Sequence, residues 1–315
     1  MPDTFIHIGM PKTGSTFLQT SVFPKLEGFH FIPRKQLVAM DAYSQLLAAD
    51  DSLYREERLI EWRDALPEKP FLLSDESLSG KLLHWQSSNR SQVARRLQRL
   101  FPDAKILLVL RGQQSLILSM YKEYLKRPHA TLNLPELLWF PNKMEKDKQL
   151  LGKSPHPQTA WFDTTDYRLH LESFKYLELI QLYQSLFKKV TVLLYEDLIH
   201  QPEQFFGDLA HYFHLSKGEG KRPHIENQAV YKSPDMREMR IKRWVNGWRK
   251  ALPSKVVLAG MHRIGRLVYH PGNLDWEAQY IRQVCTGYFD INNLAVQQVI
   301  GQLDRYPEAY SQASN

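Results

Sequence analysis

Residues 8–16, read as IGMPKTGST, bring together several groups that bind anions. Gly9 and Gly14 permit a tight turn in which consecutive backbone N–H groups point at one spot. Lys12 adds a full positive charge, and three side chains add hydroxyl donors: Thr13, Ser15 and Thr16. An apolar strand-like run, TFIHI, precedes the turn and a helical pattern follows it, so the positive end of the helix dipole points at the same spot. The segment predicts a phosphate cradle.

The spacing of this loop differs from that of the P-loop of nucleoside triphosphatases. In G-x-x-x-x-G-K-[ST] the lysine follows the second glycine, reaches the β- and γ-phosphates, and is followed by a hydroxyl residue that binds Mg²⁺. Here Ser15 stands in that place and Lys12 comes three positions earlier. We expect a lysine on the loop itself to lie beside a single 5′-phosphate. The pattern argues against kinase or ATPase chemistry.

A second phosphate-binding pattern is RGQQSLILS, residues 111–119, directly after the apolar run KILLVL. Arg111 at a strand end can bind a phosphate with two parallel hydrogen bonds. Ser119 places a hydroxyl about two turns along the helix that follows. Strand, turn and helix therefore recur in the same order as around the first loop.

The elements that position these residues alternate between strands and helices. Buried-type apolar runs predict strands at 4–9, 70–73, 105–111 and 189–195. Helical periodicity predicts helices at 15–22, 50–66, 91–100, 112–125 and 169–186, and after the last strand through Phe213. This alternation predicts an α/β fold with a doubly wound parallel sheet, in which ligands bind at the carboxyl ends of the strands. Four residues lie at such ends: Gly9, Ser74, Arg111 and Glu196.

The composition is that of a globular protein with one large core. Of the 315 residues 43% are hydrophobic and 24% charged, and no linker or repeat marks a boundary. We predict a single domain over 1–315, with a core at about 3–215 and a mostly helical, basic C-terminal third at about 216–315. The net charge of +7 favours anionic ligands. The cations of MREMRIKRWVNGWRK either form a solvated face or contact such a ligand.

Two features bear on the compartment. Cys285 is the single cysteine, which excludes an internal disulfide and makes a reducing compartment the simpler expectation. The N-terminus lacks a secretory pattern, and no run approaches the roughly 20 apolar residues of a membrane helix. We therefore expect a cytoplasmic chain without a membrane span.

Both phosphate motifs resemble those of the sulfotransferases that use 3′-phosphoadenosine 5′-phosphosulfate (PAPS). PKTGST is similar to their 5′-phosphosulfate loop, and RGQQSLILS to their Arg-and-Ser motif for the 3′-phosphate. YEDLIHQPEQFFGDLAHYF and YFDINNLAVQQVIGQLDRYPEAY resemble later segments, the second one in bacterial members. The resemblance implies a P-loop-related sulfotransferase fold. It also implies transfer of a sulfonyl group from PAPS to a hydroxyl, less readily an amine, which leaves 3′-phosphoadenosine 5′-phosphate (PAP).

The resemblance also implies roles for individual residues. The donor nucleotide would contact eight of them: Pro11, Lys12, Thr13, Gly14, Ser15, Thr16, Arg111 and Ser119. Lys12 would stabilise the charge that grows on the bridging oxygen as the S–O bond breaks. The R-K-G segment with which cytosolic members grip the 3′-phosphate is absent. Its candidate substitutes are Lys221, Arg222 and, first among them, Lys232.

A hydroxyl acceptor needs a general base. In the family this base is a His or Glu, often just after the strand that follows the first helical segment. In this chain that place is LLSDESLSG, which favours Glu76 and then Asp75 as the base. Four histidines are the remaining candidates: His30, His84, His129 and His224. The structural alternative is that Asp75 or Ser74 caps a helix beginning at this point. The histidines lack metal-ligand spacing, so no metal is expected.

The acceptor itself is not readable from the sequence. We expect a small-molecule or carbohydrate-like acceptor and no nucleic acid, with the oligomeric state open. The sequence has two alternative interpretations: a nucleotide or small-molecule kinase, and a non-catalytic binder of nucleotides or polyanions that uses the basic C-terminal third.

Overall fold

The computed structural model describes residues 2–38, 40–80, 89–128, 130–152, 168–215, 235–248, 255–268 and 275–310. Its strands are β1 Thr4–His7, β2 His30–Ile32, β3 Phe71–Ser74, β4 Lys105–Leu110, β5 Leu138–Trp139, β6 Leu169–His170 and β7 Lys189–Leu194. Five of them form one sheet in the order β2-β3-β1-β4-β7, and every pair in it is parallel. Strands β5 and β6 form a separate parallel pair.

The helices are α1 Ser15–Phe17, α2 Arg34–Val38, α3 Asp41–Leu47, α4 Glu56–Asp64, α5 Arg90–Leu100, α6 Gln113–Leu125, α7 Leu134–Leu137, α8 Lys143–Leu151, α9 Tyr176–Leu186, α10 Tyr195–His200, α11 Pro202–Tyr212, α12 Met236–Trp248, α13 Lys255–Val268, α14 Trp276–Cys285, α15 Asp290–Ile300 and α16 Pro307–Tyr310. A π-helical stretch, Leu18–Val22, continues α1. Short 3₁₀-helices lie at Phe23–Lys25, Glu76–Ser79, Leu171–Phe174 and Leu303–Arg305.

The main sheet is buried on both faces, as the continuous apolar runs predict. Successive side chains of a strand point to opposite faces. In β4, Ile106 and Leu108 therefore belong to one core cluster, while Leu107 and Val109 belong to another. Helices α5, α6 and α9 contribute to the first cluster, and α11 contributes to the second. The predicted α/β fold with a doubly wound parallel sheet is confirmed.

One predicted helix begins later than its periodicity suggested. We expected a helix over 50–66, but α4 spans Glu56–Asp64. The Asp50 carboxylate accepts hydrogen bonds from the backbone N–H of Ser52 at 2.9 Å and from its hydroxyl at 2.6 Å. Such a local bond closes a turn that competes with a helix, which is why the residues from Asp50 onward stay outside α4.

Two further helix predictions were wrong in their bounds. Helix α9 begins at Tyr176 rather than 169, where Asn292 accepts a hydrogen bond from the Tyr176 N–H at 2.9 Å. The segment after β7 is split into α10 and α11, because Pro202 lacks an N–H group and constrains Gln201, which leaves the helical region. Strand β2 and helices α2 and α3 were not predicted, since short elements carry little periodicity.

The described part of the C-terminal third is helical, and its cations are largely used for packing. Arg240 of α12 forms a buried ion pair with Glu277 of α14, its Nε donating to Glu277 Oε1 at 2.8 Å. Lys242 donates to the carbonyl of Lys126 at 2.7 Å, and Arg243 to the hydroxyl of Tyr121 at 3.3 Å. These contacts attach α12 to α6 and α14. None of the described helices is long and apolar enough to cross a membrane.

Candidate functional site

The sheet order brings the three predicted parts of the site to one edge. Strand β1 lies between β3 and β4, so the loop after β1 has the end of β3 on one side and the end of β4 on the other. On the β3 side, Ser15 Oγ donates to Glu76 Oε2 at 2.6 Å. On the β4 side, Arg111 Nη1 donates to the carbonyl of Lys12 at 2.8 Å. Both neighbours thus contact the loop directly.

The loop has three residues in the left-handed region, with φ of +39° at Gly9, +66° at Lys12 and +84° at Gly14. At Gly14 a Cβ would also come within 2.9 Å of Leu198 Cδ2, so this position requires glycine. At Lys12 the same conformation costs about 1–2 kcal/mol for a residue with a Cβ. The bond from Arg111 to the Lys12 carbonyl helps to hold this strained conformation.

The hydroxyl groups of the loop already have acceptors within the chain. Thr13 is buried and donates to the carbonyl of Met10 at 2.6 Å, while Ser15 donates to Glu76. A hydroxyl has a single proton to donate, so these two side chains would have to exchange acceptors before donating to a phosphate. Thr16 is exposed. Of the predicted hydroxyl donors, it is the one whose side chain already faces solvent.

The two candidate base residues have different surroundings. Asp75 is fully buried; its carboxylate accepts from the N–H of Ser77 at 2.7 Å and from the hydroxyl of Tyr43, and Arg34 Nε lies 3.4 Å away. It caps the 3₁₀-helix Glu76–Ser79, as the structural alternative predicted. Burial, and then the charge of Asp75, raise the pKa of Tyr43 far above its ordinary value. Asp75 therefore has a structural use.

Glu76 is the carboxylate that a ligand can reach. Its side chain is 28% exposed, with Oε1 3.2 Å from Arg34 Nη1 and Oε2 bonded to Ser15. His30 lies half-buried in β2. The other three candidate bases lie outside the described residues: His84, His129 and His224.

Lys12 contacts a carboxylate that the sequence did not single out. Its Nζ lies 3.0 Å from Glu123 Oε2 on α6, and Lys126 Nζ lies 2.8 Å from the same oxygen. Burial raises the pKa of Glu123, but the hydrogen bonds and charges of the two lysines outweigh it, so the pKa lies below its ordinary value. Glu123 follows Ser119 by one helical turn, which is the one local signal that could have suggested it.

Arg111 is held at the end of β4 by uncharged partners. Its Nε donates to Ser115 Oγ at 2.9 Å, and its guanidinium lies 4.5 Å from the centre of the Tyr195 ring. Ser119 lies on the same row of α6 as Ser115, one turn further along, and is half-buried. The pairing of Arg111 with Ser119 on one ligand stays a prediction. Three other predicted cations lie outside the described residues: Lys221, Arg222 and Lys232.

The segment after β7 supports the start of α6. Glu196 accepts from the N–H of Gly112 at 3.0 Å and from the hydroxyl of Tyr310 at 2.7 Å. Asp197 accepts from Tyr306 and pairs with Arg305, both at 2.8 Å. Sequence reasoning placed Glu196 at a strand end, and its carboxylate proves to link α6 to α16. Tyr195 and Glu196 thus contact Arg111 and the start of α6, while Asp197 contacts the segment before α16.

His7 lies beneath the loop and is neutral. Burial lowers its pKa to about 3, and its Nδ1 lies 2.8 Å from Ser74 Oγ, which also accepts from Gln19 Nε2 at 3.1 Å. A Cβ on Gly9 would come within 3.0 Å of the His7 ring. The backbone of the loop therefore lies directly on the ends of β1 and β3.

No family model and no curated protein matches this chain. Comparison with solved structures finds a sulfotransferase from Alicyclobacillus acidocaldarius, at 18% identity and a TM-score of 0.46, covering 82% of this chain and 99% of that one. It also finds the sulfotransferase domain from the curacin biosynthetic pathway, at 12% identity and a TM-score of 0.41, covering 89% and 96%. Mouse sulfotransferase SULT7A1 complexed with PAP follows, at 15% identity and a TM-score of 0.35, covering 68% and 60%.

All three are sulfotransferases, the family that the sequence motifs resemble. The described residues hold no group of three or more His, Cys, Asp or Glu that could bind a metal ion.

Proposed function

We propose that this chain is a sulfotransferase that moves a sulfonyl group from PAPS to a hydroxyl group of a small-molecule or carbohydrate-like acceptor. One observation carries the proposal: the loop after β1 is contacted by Arg111 from the end of β4 and by Glu76 from the end of β3. A phosphate cradle therefore has a guanidinium on one side and a reachable carboxylate on the other. This arrangement suits a donor with two separate phosphates and an acceptor that must lose a proton.

The residues fit such a donor on the side of β4. Backbone N–H groups of the turn ending at Gly14, together with Lys12 and Thr16, would bind the 5′-phosphate, and Arg111 and Ser119 the 3′-phosphate. Bound PAPS would supply an activated sulfonyl group at the 5′-phosphate. Lys12 lies on the loop, where its ammonium would stabilise negative charge on the bridging oxygen once Glu123 releases it.

Glu76 fits the role of general base on the side of β3. Its side chain is partly exposed, and Arg34 and Ser15 orient its two carboxylate oxygens. A carboxylate held in this way can accept the acceptor's hydroxyl proton as the new S–O bond forms. The Ser15 hydroxyl connects the base directly to the phosphate loop, so acceptor and donor would meet at residue 15.

Binding of nucleotides tests the proposal against its two alternatives. We expect PAP to bind more tightly than adenosine 5′-phosphate by at least about tenfold, since the second phosphate adds charge-assisted hydrogen bonds. Isothermal titration calorimetry with PAP, adenosine 5′-phosphate and ATP with Mg²⁺ measures this preference. A preference for ATP with Mg²⁺ would favour a kinase, and equal affinities for all three would favour a general polyanion binder.

Transfer of labelled sulfate from PAPS to a panel of sugars, phenols and amines then tests the reaction. We expect Lys12→Ala to lower turnover by about a hundredfold, the scale of losing one oxyanion donor. If the turnover of Lys12→Ala stays within about twofold of the unmodified chain, Lys12 is not the stabilising cation.

A further inference from the structure

Two half-buried cations, Arg111 and Lys122, have no hydrogen bond or ion pair to a carboxylate among the described residues. Arg111 donates to a carbonyl and a hydroxyl and stacks on a tyrosine ring. Lys122, on α6, has neither a hydrogen bond nor an ion pair within the described part of the chain. Removing a charge from water is costly unless an opposite charge pairs with it. Two neighbouring cations without a carboxylate bonded to either are typical of a binding site for an anion.

The geometry of α6 directs Lys122 towards Arg111. Residues three and four apart share one face of a helix, so a single row carries Ser115, Ser119 and Lys122. Ser115 already contacts Arg111, which marks this row as the one facing the end of β4. Helical side chains slant towards the N-terminus of their helix. The Lys122 side chain therefore extends back over Ser119, towards the start of α6.

The electrostatics of Lys122 agree with this placement. Burial is the main reason that its pKa lies below the ordinary value of a lysine. The carboxylates of Asp235 and Glu277 oppose this effect, while the charge of Arg111 lowers the pKa further. Glu277 is engaged in its own ion pair with Arg240. Arg111 thus acts on Lys122 as a like charge, less strongly than Asp235 acts on it as an opposite one, and an anion between the two cations would relieve their repulsion.

We propose that Lys122 binds the second phosphate of the donor nucleotide together with Arg111 and Ser119, and so selects nucleotides that carry a phosphate monoester besides the 5′-phosphate. This inference rests on the proposed function, which assigns Arg111 and Ser119 to that phosphate. It adds one cation to the candidates that the sequence offered, Lys221, Arg222 and Lys232. This added cation lies on α6, the helix that also carries Ser119.

The ratio of two affinities tests this role. We measure the dissociation constants of PAP and adenosine 5′-phosphate by isothermal titration calorimetry for the unmodified chain, Lys122→Met and Lys122→Arg. Lys122→Met weakens PAP binding by about tenfold, the scale of one hydrogen bond to a charged group, and leaves adenosine 5′-phosphate within about twofold. Lys122→Arg keeps most of the preference for PAP, because the charge remains.

Lys126→Met is the matched control, one helical turn further along α6. Lys126 contacts Glu123 rather than the proposed phosphate, so any effect should be equal for the two nucleotides and leave their ratio unchanged. Lys122→Gln serves if Lys122→Met unfolds. If the unmodified chain prefers PAP and neither Lys122→Met nor Lys122→Gln changes the ratio, the role of Lys122 is refuted while the proposed function stands. If the unmodified chain shows no preference for PAP, both are refuted.

Discussion

Replacing Glu123 by glutamine tests whether the ion pair with Lys12 competes with the donor nucleotide. The carboxylate lies 3.0 Å from Lys12 Nζ and 2.8 Å from Lys126 Nζ, and the Lys12 and Glu123 side chains are 26% and 38% exposed. Pairs of this exposure contribute about 0.2–1 kcal/mol each. If Lys12 must leave Glu123 to reach the 5′-phosphate, Glu123→Gln should tighten PAP binding by up to about fivefold.

The pH dependence of PAP binding tests the same competition between Glu123 and PAP for Lys12. The pKa of Glu123 lies below its ordinary value in the folded chain, because the two lysines outweigh burial. The pair is therefore complete above the ordinary carboxyl range and is lost as pH falls through the lowered pKa. On acidification, the affinities of the unmodified chain and Glu123→Gln for PAP should converge.

Titration calorimetry of PAP against both chains, repeated across this pH range, measures the difference. Glu172→Gln is the matched control, since Glu172 forms a similar pair with Lys175 at 2.8 Å that does not involve the loop. We expect no change in PAP affinity for that variant. If Glu123→Gln instead weakens PAP binding by more than about twofold, Glu123 holds Lys12 in its binding position, and the competition argument fails.

Three further predictions concern the loop, the base and the link to α16. Gly14→Ala should lower the free energy of unfolding by about 1–3 kcal/mol in denaturant melts, because of the positive φ and the contact of the new Cβ with Leu198. The control is Gly207→Ala in α11, where a Cβ meets open space, and it should raise the free energy of unfolding by up to about 1 kcal/mol. Glu76→Gln should lower kcat by about a hundredfold or more and remove the acidic limb of the pH–rate profile, with stability kept. An unchanged acidic limb in Glu76→Gln would exclude Glu76 as the base. Asp75→Asn, by contrast, should mainly lower the free energy of unfolding, by about 1–3 kcal/mol, because Asp75 accepts buried hydrogen bonds. Tyr310→Phe should lower the melting temperature by about 2–8 °C, because Glu196 loses a buried donor, and a smaller shift in calorimetry would contradict that account.

The strand ends could be predicted because their signals are local. A buried apolar run followed by Gly, Ser or Arg is visible in any short window, and Gly9, Ser74 and Arg111 lie where those runs indicated. The hydroxyl residues and glycines of the loop are visible in a short window of the sequence in the same way. A parallel sheet then brings such ends together without any further information, because their carboxyl ends share one edge.

The partners of the site residues could not be predicted, because they are distant in the chain. Lys12 and Glu123 are 111 positions apart, and Ser15 and Glu76 are 61 apart. Each contact depends on the order β3-β1-β4 and on the rotation of α6, neither of which periodicity specifies. The positive φ of Lys12 was also unforeseen, since that conformation is expected of glycine.

The C-terminal third contacts the start of α6, next to the proposed nucleotide site. The carbonyl of Ala309 lies so near Gly112 that a Cβ there would come within 2.7 Å of it, and Tyr310 shares Glu196 with the Gly112 N–H. Since Ser119 and Lys122 lie on α6, a shift of α16 that displaces the start of α6 would move both of the side chains proposed to bind the second phosphate. Asn293 strengthens this link by bonding both to Gln113 and to the carbonyl of Tyr310. A change that loosens α16 should therefore weaken PAP more than adenosine 5′-phosphate, although α16 itself carries none of the proposed ligands.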